Sequence, residues 1–296
     1  MHQLLEWIKE RESIRLLKGR GQPAPWTADP ILAKYRFCNI RRRHDRVSQW
    51  MQAHVMTLPV PAGSFGLAQA GMFIALCRWV NWPPTIQALI NAELWPTQRP
   101  DWRAMGDLID QRTASGVKAW TGAYMVRGEQ KSHGHAWAHW GKGRYVAEIV
   151  VKREMLDKAN ELRAALRENT RWAVHKVLAD CYGWGPFMAG QVADDWTWTS
   201  LLRDPKDDYT WAPQGPGSIR GLNRLKERPI GKAWEEEEYL VTLREVRHQV
   251  IQELGEPFAD LTLHDLSNVM CEFDKYERVR LGEGRPRSLY KPETRF

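Results

Sequence analysis

A glycine-rich loop that opens a predicted helix is a clear candidate for chemistry in this sequence. Gly215 and Gly217 stand at the start of a helical pattern that carries Ser218, Arg220 and Arg224. Free backbone N–H groups, a hydroxyl and guanidinium groups together suit a phosphate or pyrophosphate group. A solvated loop followed by a basic helix start would show the same pattern, so the residues alone leave both interpretations open.

A second candidate is a tight turn between two predicted helices. One helix pattern stops at Gly183, a Gly183-Trp184-Gly185 turn follows, and the next helix is predicted to begin at Pro186. Glycine permits such a turn, and proline suits the first turn of a helix. This is the pattern of a helix-hairpin-helix, whose N–H groups can hold a DNA phosphate. An ordinary αα-hairpin is the alternative.

Two charged segments complete the set. Three consecutive arginines at 41–43 cannot share one helix face, so we expect one or two of them to face an anion or Asp45. Further along, Asp274 stands four residues before Arg278, beside apolar residues. Mixed acids and bases in such a place could transfer a proton, although an i, i+4 salt bridge is the commoner outcome.

A metal site is not predicted. His133, His135 and His139 have a spacing that could hold a metal, but neighbouring glycines indicate a loop and no cysteine or carboxylate is adjacent. The four cysteines form no CxxC pair, which favours a reduced, intracellular protein. No apolar run reaches the roughly 18–20 residues of a membrane span.

The elements that must position these residues are predicted to be helices. Apolar residues recur at helical spacing in several segments, and Thr262 with Asp265 forms the N-terminal capping pattern of the last one. The run Tyr145–Val151 is the one β-like segment and predicts a short strand or hairpin. Neither GxGxxG nor GxxxxGK[ST] occurs, which disfavours Rossmann and P-loop folds. We predict one all-α body over 1–296, with lobes 1–145 and 146–296 if it divides.

Composition adds a hint about the partner. The chain has 296 residues, a formal net charge of +7 and 16 tryptophans. Tryptophan fills cores and also stacks on bases, and a basic balance suits an anionic partner. Trp79, Trp82 and Trp211 border sequence blocks that are described next and are candidates for a site, whereas Trp172 is expected in the core.

Six sequence blocks together resemble a known family. They are FCNIRRRHDRV at 37–47, RWVNWPPT at 78–85, TGAYMV at 121–126, GWGPFMAGQVADD at 183–195, GPGSIRGLNRL at 215–225 and CEFDKYERVRLGEG at 271–284. They resemble the α-glutamyl/putrescinyl thymine pyrophosphorylases of tailed bacteriophages, which are also called amino acid:DNA transferases. The resemblance implies an all-helical relative of the helix-hairpin-helix DNA glycosylases. It also implies a functional link to a 5-hydroxymethyluracil DNA kinase, in the cytoplasm of an infected bacterium.

The implied reaction displaces pyrophosphate from pyrophosphorylated 5-hydroxymethyluracil in double-stranded DNA with an amine, either an amino acid or a polyamine. The base must leave the stack, the departing pyrophosphate needs cationic donors, and the amine must lose a proton. On this basis we assign pyrophosphate binding to Arg42, Gly215, Gly217, Ser218 and Arg220. Proton transfer is assigned to Glu272 or Asp274, with Asp194 and Asp195 as rivals. Base recognition is assigned to Asn39 and Tyr276, and DNA contacts to Gly183, Trp184, Gly185, Lys275 and Arg278.

Two other functions stay open at this stage. One is a helix-hairpin-helix glycosylase acting on modified thymine, although Met188 stands where that family places a lysine. The other is a non-catalytic DNA-binding module. No cofactor is expected, and magnesium accompanying pyrophosphate is compatible with the reaction. The sequence identifies neither the transferred amine nor the oligomeric state, and it does not separate direct displacement from a methide route.

Overall fold

The computed structural model describes residues 1–60, 66–122, 134–286 and 289–290. Over these residues the fold is all-α, as predicted, and the single β feature is an isolated antiparallel bridge between Tyr35 and Leu289. Within the same ranges, no helix is both long and apolar enough to cross a membrane.

The helices follow one another in chain order as α1 (His2–Gly19), α2 (Pro30–Lys34), α3 (Arg46–His54), α4 (Gly66–Val80), α5 (Pro83–Asn91), α6 (Trp102–Ala114), α7 (Lys142–Arg144), α8 (Glu154–Asp157), α9 (Ala159–Glu168), α10 (Arg171–Ala179), α11 (Gly185–Thr197), α12 (Pro216–Leu225), α13 (Glu236–Leu254) and α14 (Leu263–Arg280). Short 3-10 helices occupy Arg42–His44 and Glu256–Phe258, and a π-helix occupies Tyr145–Arg153.

The chain divides into two compact units. The central unit is Arg46–Lys206, and the terminal unit combines Met1–Asp45 with the described residues from Asp207 onward. The division therefore does not fall near residue 145, where we expected it. Residue 145 lies at the start of the π-helix that joins α7 to α8 without a break, so the chain offers no boundary there.

The predicted strand at Tyr145–Val151 is wrong, because this segment is the π-helix. Tyr145, Val146, Ala147, Ile149, Val150 and Val151 are all buried. A segment covered on all sides shows no periodicity, so a short apolar run of this kind can be a strand or a helix.

In the terminal unit, α1, α13 and α14 share one apolar core that includes Leu4, Ile8, Leu243, Leu266 and Met270. The predicted start of α14 is confirmed: Asp265 N–H donates to Thr262 Oγ1 at 3.0 Å, and the Asp265 carboxylate accepts from Thr262 N–H in return. This cap fixes where α14 begins, and with it the register of the charged residues along the helix.

Helix α12 lies unusually close to α14. A Cβ placed on Gly217 would lie 2.2 Å from Cys271 Sγ, and one on Gly221 would lie 2.1 Å from the Met270 carbonyl oxygen. Any larger residue would push the helices apart, so the Gly217-xxx-Gly221 pair is what allows this packing. The two helices can then exchange side-chain contacts over a short distance.

Half of the tryptophans belong to the cores. Trp7, Trp79, Trp95, Trp102, Trp184, Trp196, Trp211 and Trp234 are buried. Trp172, which we expected in the core, has 41% of its surface exposed, so that expectation is wrong. Its neighbours in α10, Ala173 and Val174, turn inward in its place.

Candidate functional site

One buried carboxylate in the terminal unit gathers three arginines. Asp274 of α14 is fully buried, and its Oδ2 and Oδ1 accept hydrogen bonds from Arg220 Nε and Arg224 Nε, each at 2.9 Å. Arg278 Nε lies 3.4 Å from Asp274 Oδ2. Arg220 and Arg224 are one turn apart on α12, and Asp274 and Arg278 are one turn apart on α14, so the close packing of α12 on α14 builds this arginine cluster.

The three arginines of the cluster are not equivalent. Arg224 is 9% exposed and also binds Glu283 through its Nη groups. Arg220 and Arg278 each have 35% of the side chain exposed, and their Nη groups contact no acceptor in the described part of the chain. Asp274 therefore binds Arg220 through a hydrogen bond and Arg278 through an ion pair, and both guanidinium side chains stay partly exposed. Such an arrangement suits an anion with several oxygens, such as pyrophosphate.

Residues of the glycine-rich loop make hydrogen bonds and packing contacts inside the protein, which the sequence pattern alone does not indicate. Ser218 is 2% exposed, and its Oγ accepts from Gly215 N–H at 3.0 Å. The Tyr239 hydroxyl also lies 3.0 Å from Ser218 Oγ. The hydroxyl of Ser218 is thus used inside the protein, and Gly217 is required by the approach of α14. Of the residues assigned to pyrophosphate, Arg220 is the one whose side chain reaches solvent with donors to spare.

The run of three arginines is engaged mainly with acids of its own unit. Arg41 binds Asp260 through Nε at 3.0 Å and Glu12 through Nη1 at 3.2 Å. Arg43 also binds Asp260, at 2.7 Å. Arg42, our predicted pyrophosphate ligand, is 3% exposed, and its backbone N–H donates to Asp265 Oδ1 at 3.0 Å. This burial places Arg42 away from solvent.

Glu272 and Lys275 form a second charged group on α14. Glu272 Oε2 accepts from the Cys38 backbone N–H at 2.9 Å and from Lys275 Nζ. Burial of the ammonium lowers the pKa of Lys275, but the Glu272 carboxylate more than offsets this, and the net pKa is raised. Both predicted proton acceptors on α14, Glu272 and Asp274, are therefore already engaged in ion pairs.

The two residues assigned to base recognition are also engaged within the protein. Asn39 donates from Nδ2 to the His44 carbonyl at 2.7 Å and accepts at Oδ1 from Arg11 at 3.3 Å. The Tyr276 hydroxyl donates to Asp29 Oδ2 at 2.7 Å, and burial together with this carboxylate raises its pKa. To hydrogen-bond to the edge of a uracil base, these side chains would have to give up the hydrogen bonds that they make within the protein.

Asp45 is a chemically distinctive carboxylate that sequence reasoning treated only as a partner for arginine. Its Oδ1 accepts from the Asn39 backbone N–H at 2.7 Å, and Oδ2 has no hydrogen-bond partner among the described residues. Burial raises its pKa to about 6, although the Asn39 hydrogen bond and the Arg42 charge oppose the shift. A carboxylate with a pKa near neutrality can exchange a proton at working pH. The signal in the sequence was its place two positions after the arginine run.

In the central unit, the two rival acids lie in buried ion pairs. Asp195 is fully buried and receives two hydrogen bonds from Arg78, Nε to Oδ2 at 2.6 Å and Nη2 to Oδ1 at 2.7 Å. Asp194 pairs with Arg171 in the same way, with both side chains buried. These carboxylates tie α11 to α4 and α10, which is a structural use of buried charge.

Helices α10 and α11 form a hairpin joined through residues 180–184, where the sequence predicted a turn. Gly183 and Gly185 have φ values of +84° and +66°, which other residues adopt only with strain. Trp184, however, is 4% exposed, and its Nε1 donates to the Val150 carbonyl at 2.6 Å. Its ring is therefore part of the core. The exposed aromatic side chains of the two helices are Trp172 and Phe187, at 41% and 56%.

Of the three histidines with metal-like spacing, His133 lies outside the described residues. In the ranges that the structure does describe, no group of three His, Cys, Asp or Glu side chains has a geometry that could hold a metal ion.

Comparison with known proteins identifies the family. Over residues 1–285 the chain matches the model of the family described as "5-hmdU DNA kinase, helical domain". The chain belongs to this helical-domain family. The 5-hmdU DNA kinase of Bacillus phage SP10 is 24% identical to it over 290 residues, which cover 91% of this chain and 43% of that protein. No solved structure matches the chain.

The two matches cover different shares of this chain and of its relative. The helical-domain family takes in nearly the whole chain, including the arginine cluster and the hairpin. The chain spans less than half the length of the phage SP10 relative. The match shows a family named for a DNA kinase, whereas transfer of an amine was implied only by the resemblance to the thymine pyrophosphorylases.

Proposed function

We propose that this helical domain acts on phage DNA that carries pyrophosphorylated 5-hydroxymethyluracil and replaces the pyrophosphate with an amine. The observation that carries the proposal is the arginine cluster, in which Arg220 and Arg278 pair with buried Asp274, are each 35% exposed, and have Nη groups that contact no acceptor among the described residues. A domain related to 5-hmdU DNA kinases that also carries a preformed oxyanion site suits a phosphorylated form of the same base.

The chemistry balances as a substitution at the methylene carbon on C5 of the base. The bond between this carbon and the pyrophosphate oxygen breaks, and the electron pair leaves with pyrophosphate. A new C–N bond forms to the amine, which loses one proton. Negative charge grows on the leaving oxygen whether displacement is direct or passes through a methide, so donors fixed beforehand lower the barrier in either case.

The proton from the amine requires an acceptor. Asp45 is our choice, because its Oδ2 has no partner among the described residues and burial raises its pKa to about 6. The other candidates for this role rank below Asp45, because each already forms an ion pair with a lysine or an arginine. They are Glu272, Asp274, Asp194 and Asp195.

A single incubation tests the proposal. Double-stranded DNA with pyrophosphorylated 5-hydroxymethyluracil is mixed with the protein and, separately, with glycine, glutamate or putrescine. We expect a nucleoside that carries the amine in place of pyrophosphate on its 5-methylene carbon, and one pyrophosphate released for each nucleoside changed. Abasic sites would indicate a glycosylase instead. Intact starting nucleoside with every amine would contradict the proposal.

A second candidate is a DNA-binding domain that presents 5-hydroxymethyluracil to a kinase active site elsewhere. The family description and the 43% coverage of the phage SP10 kinase favour it, as does the absence of GxxxxGK[ST] from this sequence. This candidate predicts salt-dependent binding to 5-hydroxymethyluracil DNA with no pyrophosphate release. It also predicts that adding the domain increases phosphorylation of that DNA by a kinase that lacks its own helical domain.

A further inference from the structure

Four tryptophans of the central unit each hold a cationic head group over the ring. Lys118 Nζ lies 3.6 Å from the centre of the Trp82 ring, and Lys142 Nζ lies 4.3 Å from that of Trp120. The guanidinium carbons of Arg144 and Arg153 lie 3.9 Å and 4.6 Å from the rings of Trp140 and Trp137. We call these four pairs the tryptophan–cation row.

Contacts along the chain link neighbouring pairs of the row. The segment that carries Lys118 and Trp120 joins the end of α4, beside Trp82, through a hydrogen bond from Thr121 N–H to the Val80 carbonyl at 3.1 Å. Lys142 and Arg144 share α7. A turn then connects the remaining two tryptophans, since Trp140 N–H donates to the Trp137 carbonyl at 2.9 Å.

The row ends at the hairpin. His135 stacks on the Trp137 ring, with the ring centroids 4.7 Å apart. The His135 and Tyr182 rings form an edge-to-face contact, with their centroids 5.6 Å apart. Tyr182 belongs to the turn between α10 and α11. Ring contacts therefore connect the Trp137 end of the row to the turn between α10 and α11.

The two arginines of the row keep donors available. Lys118 is exposed, and the side chains of Arg144 and Arg153 are 25% and 41% exposed. Arg144 donates a hydrogen bond from Nε to the Glu148 carboxylate, at 2.9 Å. Arg153 gives Nη2 to Glu154, at 2.9 Å, and its Nε lies 3.7 Å from Asp157. In the described part of the chain, the other guanidinium N–H groups of these two arginines contact no acceptor.

A ring under a cation restricts the motion of a long side chain, so less conformational entropy remains to be lost when the cation binds an anion. It also covers the ring face, which a base would need for stacking. The row is thus suited to phosphates at repeated spacing rather than to flipped bases.

We propose that the tryptophan–cation row binds the phosphodiester backbone of DNA where the strand runs past the α10–α11 turn. The inference rests on the proposed function only in taking DNA as the partner. An acidic protein is the main other polyanion that such a row could bind, and the test below distinguishes it.

The test compares two charge-matched triple variants. One removes three cations of the row (Lys142→Gln, Arg144→Gln and Arg153→Gln). The control removes three exposed or half-buried cations of the terminal unit (Lys226→Gln, Arg228→Gln and Arg244→Gln). Arg228 is the closest match, because it too lies over a tryptophan, 3.6 Å from the centre of the Trp234 ring. Binding to unmodified duplex DNA is measured against salt concentration.

We expect the slope of log affinity against log salt to fall by about 2–3 in the row variant, since each lost phosphate contact removes roughly 0.9. The control should keep the slope of the original protein. Equal slopes for all three proteins would overturn the inference, as would a loss of slope in the row variant no larger than in the control. If the row triple does not fold, Lys118→Gln alone should lower the slope by about 1, because Lys118 is exposed.

This outcome is separate from that of the transfer reaction. A protein that shows the expected slopes but releases no pyrophosphate would refute the proposed function and leave the row assigned to DNA. A row variant that transfers an amine with unchanged KM for duplex DNA would refute the row while leaving the function. Unchanged DNA slopes with weakened binding to an acidic polypeptide would reassign the row to a protein partner and so also overturn the inference.

Discussion

Two arginines on the same helix should respond in opposite ways to the same substitution. Arg220 and Arg224 stand one turn apart on α12 and both donate through Nε to Asp274 at 2.9 Å. Arg220 is 35% exposed with free Nη groups, whereas Arg224 is 9% exposed and uses its Nη groups on Glu283. We therefore predict that Arg220→Gln affects the reaction and that Arg224→Gln affects stability.

The magnitudes follow from what each side chain contacts. Loss of Arg220 removes one or two charge-assisted hydrogen bonds to pyrophosphate, which contribute about 2–3 kcal/mol to the transition state, or roughly a 30- to 150-fold fall in kcat/KM. The free energy of unfolding should change by less than about 1 kcal/mol, since Asp274 keeps Arg224. Loss of Arg224 removes a partner from buried Asp274 and should lower the free energy of unfolding by about 2–4 kcal/mol.

The assay measures pyrophosphate release at several DNA concentrations, together with urea unfolding of each variant. Arg220→Lys is the matched control: it keeps the charge but loses the planar donor pair, so it should recover only part of the activity. Equal activity of Arg220→Gln and the original protein would refute the assignment of the site. A larger loss of activity in folded Arg224→Gln than in Arg220→Gln would refute the distinction between the two arginines.

Three other predictions concern packing, buried charge and pH. Gly221→Ala should lower the free energy of unfolding by about 1–3 kcal/mol, because a Cβ there would lie 2.1 Å from a backbone oxygen of α14, whereas Gly231→Ala, with open space around it, should be nearly neutral in a urea titration. Asp195→Asn should lower it by about 3–5 kcal/mol, as it leaves the buried Arg78 guanidinium without its carboxylate; a change below 1 kcal/mol would contradict this. If Asp45 accepts the proton, kcat should rise with pH through about 6 and lose this step in Asp45→Asn. Because burial raises the pKa of Asp45 from 3.8, the folded state should also gain stability as the pH falls from about 6 to 4, by at most about 3 kcal/mol, and Asp45→Asn should remove that gain.

Local signals in the sequence predicted local structure well. The Thr262–Asp265 cap and the α10–α11 turn depend on residues within a few positions of one another, and both are present. The π-helix at Tyr145–Arg153 was missed, because its segment is buried on all sides and carries no periodicity. Burial also depends on distant partners, which is why Trp172 is exposed and Trp184 is in the core.

The site was harder to predict because its pairs are distant in sequence. Arg220 and Asp274 were singled out separately, as a ligand and a base, but they are bound to each other across 54 positions. Their meeting depends on the approach of α12 to α14, for which Gly217 and Gly221 provide the room. The glycines were interpreted as a phosphate loop, although their spacing of four is also the spacing of close helix packing.

The most direct test of the central claim is the mass of nucleosides from DNA treated with this protein. Duplex DNA that carries pyrophosphorylated 5-hydroxymethyluracil is incubated with isotopically labelled glycine, glutamate and putrescine, and then digested completely. The account predicts a labelled nucleoside and an equal amount of pyrophosphate, both reduced at least roughly 30-fold by Arg220→Gln. Unlabelled nucleosides with no pyrophosphate, from a protein that binds the DNA, would contradict it.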